Sequence, residues 1–74
     1  MNIEIEYCVP CGYLDKAAEA QKTILSTFGE QIAAVTLKPG NKGVFTFRLD
    51  GGEIYSKPAE FRIENIVDIV KARL

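Results

Sequence analysis

Two cysteines, Cys8 and Cys11, stand three positions apart in the stretch Tyr7-Cys8-Val9-Pro10-Cys11-Gly12-Tyr13. Thiols at this spacing can reach one another and close a disulfide. The residues before them alternate in polarity and the residues after them follow a helical pattern, so the pair falls at a strand-to-helix junction. The first turn of a helix offers N–H groups without partners and the positive end of the dipole, and both favour a thiolate. The thiolate is the form that attacks a disulfide, whereas an isolated cysteine, with a pKa of about 8.5, is mostly protonated at neutral pH. This placement points to reversible thiol chemistry. Pro10 fits a first helical turn, where a missing N–H costs nothing, and it stiffens the link between the sulfurs. A second thiol close by resolves a mixed disulfide before a substrate stays trapped.

Two plainer readings of the pair compete. A zinc site needs four ligands, usually Cys or His, and the chain has no histidine and no third cysteine, so no metal is expected. Buried, inert cysteines are the other alternative. As for which sulfur attacks, the N-terminal cysteine is the more exposed one in most dithiol motifs of this type, which favours Cys8.

The elements that must hold this pair are short. Seventy-four residues suffice for one small domain, 1–74, which buries only roughly 60% of its unfolded surface. Hydrophobic residues make up 47% and charged residues 26%, an ordinary globular balance. The net charge of −1 lacks the basic footprint of a nucleic-acid binder, and no apolar run approaches the ~18 residues of a membrane span. The N-terminus carries acids and alternates, so it does not read as a signal peptide, and the cytoplasm is the expected location. There a close cysteine pair is more often catalytic or metal-binding than a structural staple.

Asn2–Tyr7 sets Ile3, Ile5 and Tyr7 against Asn2, Glu4 and Glu6, the period of a strand. From Cys11 to Phe28, Leu14, Ala17, Ala18, Ile24, Leu25 and Phe28 form one helical stripe, and Gly29 suits its stop. Gln31–Leu37, nearly continuously apolar, reads as a buried strand, and Lys38–Gly43 as a loop. Val44–Leu49 alternates, Asp50-Gly51-Gly52 is a hairpin turn, Glu53–Lys57 returns, and Pro58 breaks the strand. Ile63, Ile66, Val67, Val70 and Leu74 mark a second helix.

The order is therefore β-α-β-β-β-α, an α/β fold with a four-stranded mixed sheet and both helices on one face. A right-handed crossover makes the first two strands parallel, and the last two form an antiparallel hairpin. On that topology the cysteines, the Lys38–Gly43 loop and Ser56-Lys57 converge on one sheet edge, where open α/β sheets bind ligands. Lys38, Lys42 and Lys57 would add positive potential there. The last strand is an edge, so the chain is expected to be a monomer or a weak dimer.

The motif Tyr7-Cys8-x-x-Cys11-Gly12-Tyr13 resembles the start of the selenoprotein W-like (Rdx) family, a small thioredoxin-like group. Pro39-Gly40-x-x-Gly43-x-Phe45 resembles its glycine-rich loop and following aromatic strand. Leu49-Asp50-Gly51-Gly52-Glu53-Ile54-Tyr55-Ser56-Lys57 resembles its hairpin and Ser-Lys ending. The family often has a longer glycine-containing segment before the final helix, where this chain has only Pro58–Arg62. The resemblance implies a thioredoxin-like β-α-β-β-β-α fold and redox activity linked to glutathione and thiol-containing proteins. Some members carry selenocysteine at the second motif position, so the resemblance implies Cys11 as the stronger nucleophile and Cys8 as its resolving partner. Val9, Pro10, Gly12, Asn41, Lys42, Gly43, Ser56 and Lys57 are then the expected partner-binding rim.

Two functions follow. One is thiol–disulfide exchange through Cys8 and Cys11, with no resident cofactor and glutathione as co-substrate. The other is a redox-controlled protein-binding module with negligible turnover.

Overall fold

In a computed structural model that describes Met1–Leu74, the strands are β1 (Asn2–Cys8), β2 (Ala34–Gly40), β3 (Phe45–Leu49) and β4 (Gly52–Ser56). The helices are α1 (Leu14–Phe28) and α2 (Ile63–Arg73), with a 3-10 turn over Gly29–Gln31. The order is the expected β-α-β-β-β-α, and the strands lie side by side as β2-β1-β3-β4. β1 runs parallel to β2 and antiparallel to β3, and β3 runs antiparallel to β4.

Alternation builds the sheet. Ile3 and Ile5 of β1 and Phe45, Phe47 and Leu49 of β3 turn to one face and are buried. Both helices cover that face, because Ala17, Ala20, Ile24 and Phe28 of α1 join Ile66 and Val70 of α2 in a single core. On the opposite face Arg48 reaches Glu4 at 2.8 Å and Glu6 at 3.1 Å, tying β3 to β1. These hydrogen bonds, Glu6 first and then Glu4, push the guanidinium pKa up, so it stays charged.

Several boundaries differ from the sequence reading, each for a physical reason. The strand read at Gln31–Leu37 begins later and runs through Gly40, so Lys38, Pro39 and Gly40 belong to β2 rather than to a loop. It is also an edge strand rather than a buried one: only Val35 is fully buried, because β1 is its sole neighbour. An edge is where a strand tolerates proline, which cannot donate to a ladder, and Pro39 sits there opposite Tyr7. The turn Asp50-Gly51 is as expected, with φ of 49° and 87°, the paired positive values of a type I′ hairpin. Leu74 lies past the end of α2 and is exposed.

The buried stripe of α1 is Ala17-Ala20-Ile24-Phe28, whereas Leu14, Ala18 and Leu25 face outward. Gln21 replaces them as a link, donating from Nε2 to the Val35 carbonyl at 2.7 Å and fastening α1 to β2. The two readings of the helix separate in one experiment. Ile24→Ala, which empties a fully buried site, is expected to lower the unfolding free energy by about 2–5 kcal/mol. Leu25→Ala, at a side chain 40% exposed, should change it by only about 0.5 kcal/mol in either direction. Urea unfolding of both variants decides, and a larger loss at Leu25 would overturn this packing.

Candidate functional site

Cys8 is the last residue of β1 and Cys11 lies in the turn that follows. Their sulfurs are bonded to one another, with Cα atoms 5.3 Å apart, inside the ordinary range for a disulfide. The turn is closed by the Gly12 N–H donating to the Val9 carbonyl at 3.2 Å. Pro10 thus occupies the second position of a β-turn, which its fixed φ suits, rather than the first turn of a helix. Gly12 follows with φ of 78°, a conformation no helical residue adopts. That is why α1 starts at Leu14 and not, as expected, at Cys11. The dithiol therefore sits just ahead of the helix N-terminus, not within it.

The two sulfurs have different surroundings. Cys8 is 0% exposed, while Val9, Pro10, Cys11 and Gly12 are all exposed. Strand order sets what lies next to each. β1 lies between β2 and β3, so the chain leaving β2 must pass over the end of β1 to enter β3. That end is Cys8, which pairs with Gly40 as β2 finishes. The Val9 N–H donates to the Gly40 carbonyl at 3.3 Å. Asn41–Val44 then makes a tight turn, with φ of 58° at Lys42 and 75° at Gly43 and the Val44 N–H donating to the Asn41 carbonyl at 3.2 Å. A Cβ on Gly40 would stand 2.7 Å from Val44 Cγ1, so the chain there runs as close as glycine allows.

Tyr13, directly after the turn, stacks on Phe45 with ring centroids 5.0 Å apart. Phe45 also meets Phe47, Tyr55 and Phe61, so the dithiol turn rests on an aromatic cluster. Tyr55 donates to the Ala59 carbonyl at 2.6 Å. Burial, helped by Tyr13 and opposed by Lys57, pushes its phenol pKa up. Lys57 Nζ lies 4.8 Å from the Tyr13 ring centre and Lys16 Nζ 5.6 Å from it. A cavity of about 210 Å³ opens among Tyr13, Lys16, Tyr55, Lys57 and Phe61. A larger cleft of about 500 Å³ runs from Gly12 along Asp15, Lys16 and Glu19 to Phe61 and Ile63.

Of the expected rim, Val9, Pro10 and Gly12 share the dithiol turn; Gly40, not expected there, joins them through its carbonyl, which accepts from the Val9 N–H. Gly43 comes close to Lys57, whose Nζ is 3.9 Å from the place a Cβ would take. Lys57 in turn reaches Tyr13. Asn41 and Lys42 form the exposed turn over β1. Ser56 points elsewhere: its hydroxyl is 3.4 Å from that of Thr46, which alternates with Phe45 and Phe47 and so lies on the face away from the helices. Sequence reasoning placed neither Lys16 nor Phe61 at the site. Phe61 carried a readable signal, an aromatic just before a helix cap with apolar Ile66 four residues into the helix, the pattern of a hydrophobic staple.

The sequence pattern of the Rdx family matches residues 2–72. The chain belongs to the Rdx family. A crystal structure of a Bordetella parapertussis protein superposes with a TM-score of 0.93 at 30% identity, over 99% of this chain and 96% of that one. A selenoprotein W-related protein from Vibrio cholerae gives 0.91 at 27% identity, over 97% and 94%. Among curated proteins none matches. An Rdx-family fold with a Cys-x-x-Cys pair indicates a redox role. No helix is long and apolar enough to cross a membrane.

The unequal burial of the sulfurs is directly testable. In reduced protein, iodoacetamide is expected to modify Cys11 first, with Cys8 reacting only once urea opens the fold. Peptide mass mapping over time reads this, and equal labelling of both in the folded protein would contradict the geometry.

Proposed function

We propose that this chain exchanges thiols and disulfides through Cys11, with Cys8 as the resolving sulfur. One observation carries the reading: the sulfurs lie within bonding reach at a sheet edge, and only Cys11 is exposed to a partner. It agrees with the role that resemblance to the family implies for the second motif position, and against the general preference for the N-terminal cysteine.

The reaction runs in two displacements. The Cys11 thiolate attacks a substrate disulfide, forms a mixed disulfide and releases one substrate thiolate. The Cys8 thiolate then attacks the Cys11 sulfur, releases the second substrate thiolate and leaves Cys8–Cys11 bonded, so two electrons have passed to the substrate. Two incoming thiols, from glutathione or a protein partner, reverse the sequence and regenerate the dithiol. No resident cofactor enters, and the reducing cytoplasm supplies the electrons. Attack requires the incoming sulfur to line up with the exposed side of Cys11, and there Val9, Pro10 and Gly12 form the first contacts. Asn41, Lys42, Gly43 and Lys57 extend the same edge, whereas the orientation of Ser56 argues for a structural hydrogen bond with Thr46.

Single-cysteine variants test the assignment. Cys8→Ser, which keeps the exposed sulfur and removes the resolving one, is expected to trap mixed disulfides when mixed with a model disulfide, and Cys11→Ser to trap none. The reverse pattern would overturn the roles. The reduced wild type with that disulfide and a recycling reductant should turn over many times. Oxidation without turnover would favour the redox-controlled binding module instead.

A further inference from the structure

The sheet has two edges, β2 and β4, and they differ in what they leave unpaired. The Gly40 carbonyl accepts from Val9, one residue beyond its partner Cys8. In a parallel ladder that pattern turns both main-chain groups of Gly40, Lys38 and Thr36 towards β1. Val35, Leu37 and Pro39 alternate with them and turn theirs outward. Part of that outer edge is already settled. The Val35 carbonyl accepts from Gln21 Nε2 at 2.7 Å. Pro39 has no N–H to offer. What remains is the Val35 N–H, both groups of Leu37 and the Pro39 carbonyl.

This remainder is self-complementary. Two copies of β2 can run antiparallel about a two-fold axis at Leu37, so that Leu37 faces Leu37 and Val35 faces Pro39 of the other copy. Each Leu37 N–H then donates to the other Leu37 carbonyl, and each Val35 N–H to the other Pro39 carbonyl. The N–H that Pro39 lacks is the one that would have met the Val35 carbonyl, which Gln21 already holds. A strand without proline at that place would bring an N–H to the occupied carbonyl. It would also set a carbonyl against the Pro39 ring, and both groups would lose their water without gaining a partner. The edge is thus closed to a general strand and matched to its own copy.

The side chains agree. Val35 is in the core and Leu37 packs against it, so both lie beneath the helices. With 3.6 residues per turn, Leu14, Ala18 and Leu25 fall within about 60° of Gln21, on the flank of α1 above β2. All three are exposed, an apolar stripe with nothing on it. A second copy turns the same stripe of its own α1 towards this one, over the paired Leu37 side chains. On the open face Thr36 meets Lys38 of the other copy, so no like charges are opposed. The β4 edge offers no such match: its ladder with β3 shifts at Phe47/Arg48 and leaves Ile54 unpaired, and an irregular edge resists pairing.

We propose that this chain forms a symmetric dimer through β2, with the Leu14–Ala18–Leu25 flanks of the two α1 helices closing over the seam. The inference stands apart from thiol exchange. The two-fold axis reverses the strands, so the two dithiol turns lie at opposite ends of the joined sheet.

The test uses oxidised protein, in which Cys8 and Cys11 bond to each other and no disulfide can link two chains. Sedimentation velocity from micromolar to millimolar concentration is expected to show a monomer–dimer equilibrium. Amide hydrogen exchange, followed by NMR, identifies the paired edge. Exchange at Val35 and Leu37 should slow by about tenfold or more as the dimer forms, whereas Thr36 and Lys38, bonded to β1, should be slow at every concentration. Leu25→Glu brings a carboxylate into the apolar seam and should raise the dissociation constant by about tenfold or more. Leu74→Glu makes the same charge change at an exposed leucine past the end of α2, and should leave it unaltered. A monomer at every concentration, a dimer whose protection falls on β4 amides such as Ile54, or equal effects of the two variants would overturn the proposal. The wild-type exchange pattern locates the seam without any substitution, so it decides even where a variant does not fold.

Discussion

The passage of the chain over the end of β1 is the constraint on which the site depends. With strands ordered β2-β1-β3-β4, β2 cannot connect to β3 without crossing the terminus of the strand between them. The two strands end and begin level with Cys8 and Tyr7, so the connection has only Asn41–Val44 in which to cross and reverse. That shortness forces Lys42 and Gly43 into positive φ and brings Gly40 against Val44. Cys8 ends β1 level with Gly40, where this crossing begins, and is fully buried. Cys11, carried outward by the turn at Pro10, is exposed. Two identical thiols thus differ in access by their places in the chain, one at the end of a central strand and the other in the exposed turn that follows it.

A second layer of restraint comes from Phe45, the first residue of β3 after the crossing. It is buried, and its ring supports Tyr13 on one side while meeting Tyr55 and Phe61 on others. Phe61 belongs to the segment leading into α2, so the entry to that helix, the hairpin and the dithiol turn all pack on one ring. Offset and edge-on aromatic pairs contribute about 0.5–1.5 kcal/mol each beyond their buried area, which is considerable for a chain of this size. The same packing places Tyr13 where Lys16 and Lys57 can approach it. The basic character of the rim is therefore a consequence of core packing.

Much of this was legible in the sequence. The period of two in Asn2–Tyr7 and Val44–Leu49 gave the central strands, because each has one face on the core and one in solvent. The Asp50-Gly51-Gly52 turn was legible because only a narrow set of residues tolerates its dihedrals. Element order and handedness then brought the cysteines and the following loops to one edge. What escaped the reading depended on neighbours. An apolar run such as Gln31–Leu37 looks buried until the strand order makes it an edge. Leu14, Ala18 and Leu25 fit a helical stripe as well as Ala20 does, and only the position of β2 chooses between them. A register shift in the β3–β4 ladder lets adjacent Ile54 and Tyr55 both pack on the core, which strict alternation forbids. The start of α1 was misplaced because Gly12 was taken as part of a helix, although its backbone conformation ends any such run.

The later start of α1 changes the physics of the dithiol. In a helix the spacing of the sulfurs would depend on the first turn remaining wound. Here hydrogen bonds of the main chain hold it: Gly12 N–H to the Val9 carbonyl, Tyr13 N–H to the Cys8 carbonyl and Val9 N–H to the Gly40 carbonyl. None involves a sulfur, so opening the disulfide removes none of their donors or acceptors. The loop closed by the bond is among the shortest a chain can form, and its effect on the entropy of the unfolded state is correspondingly small. Apart from Cys8 itself, the largest fully buried residues, Ile3, Ile5, Ile24, Phe45, Phe47, Ile66 and Val70, lie outside the turn. The bond thus adds little to the fold through chain entropy, and the main-chain hydrogen bonds of the turn are independent of it, which suits a thiol pair that changes redox state within one structure.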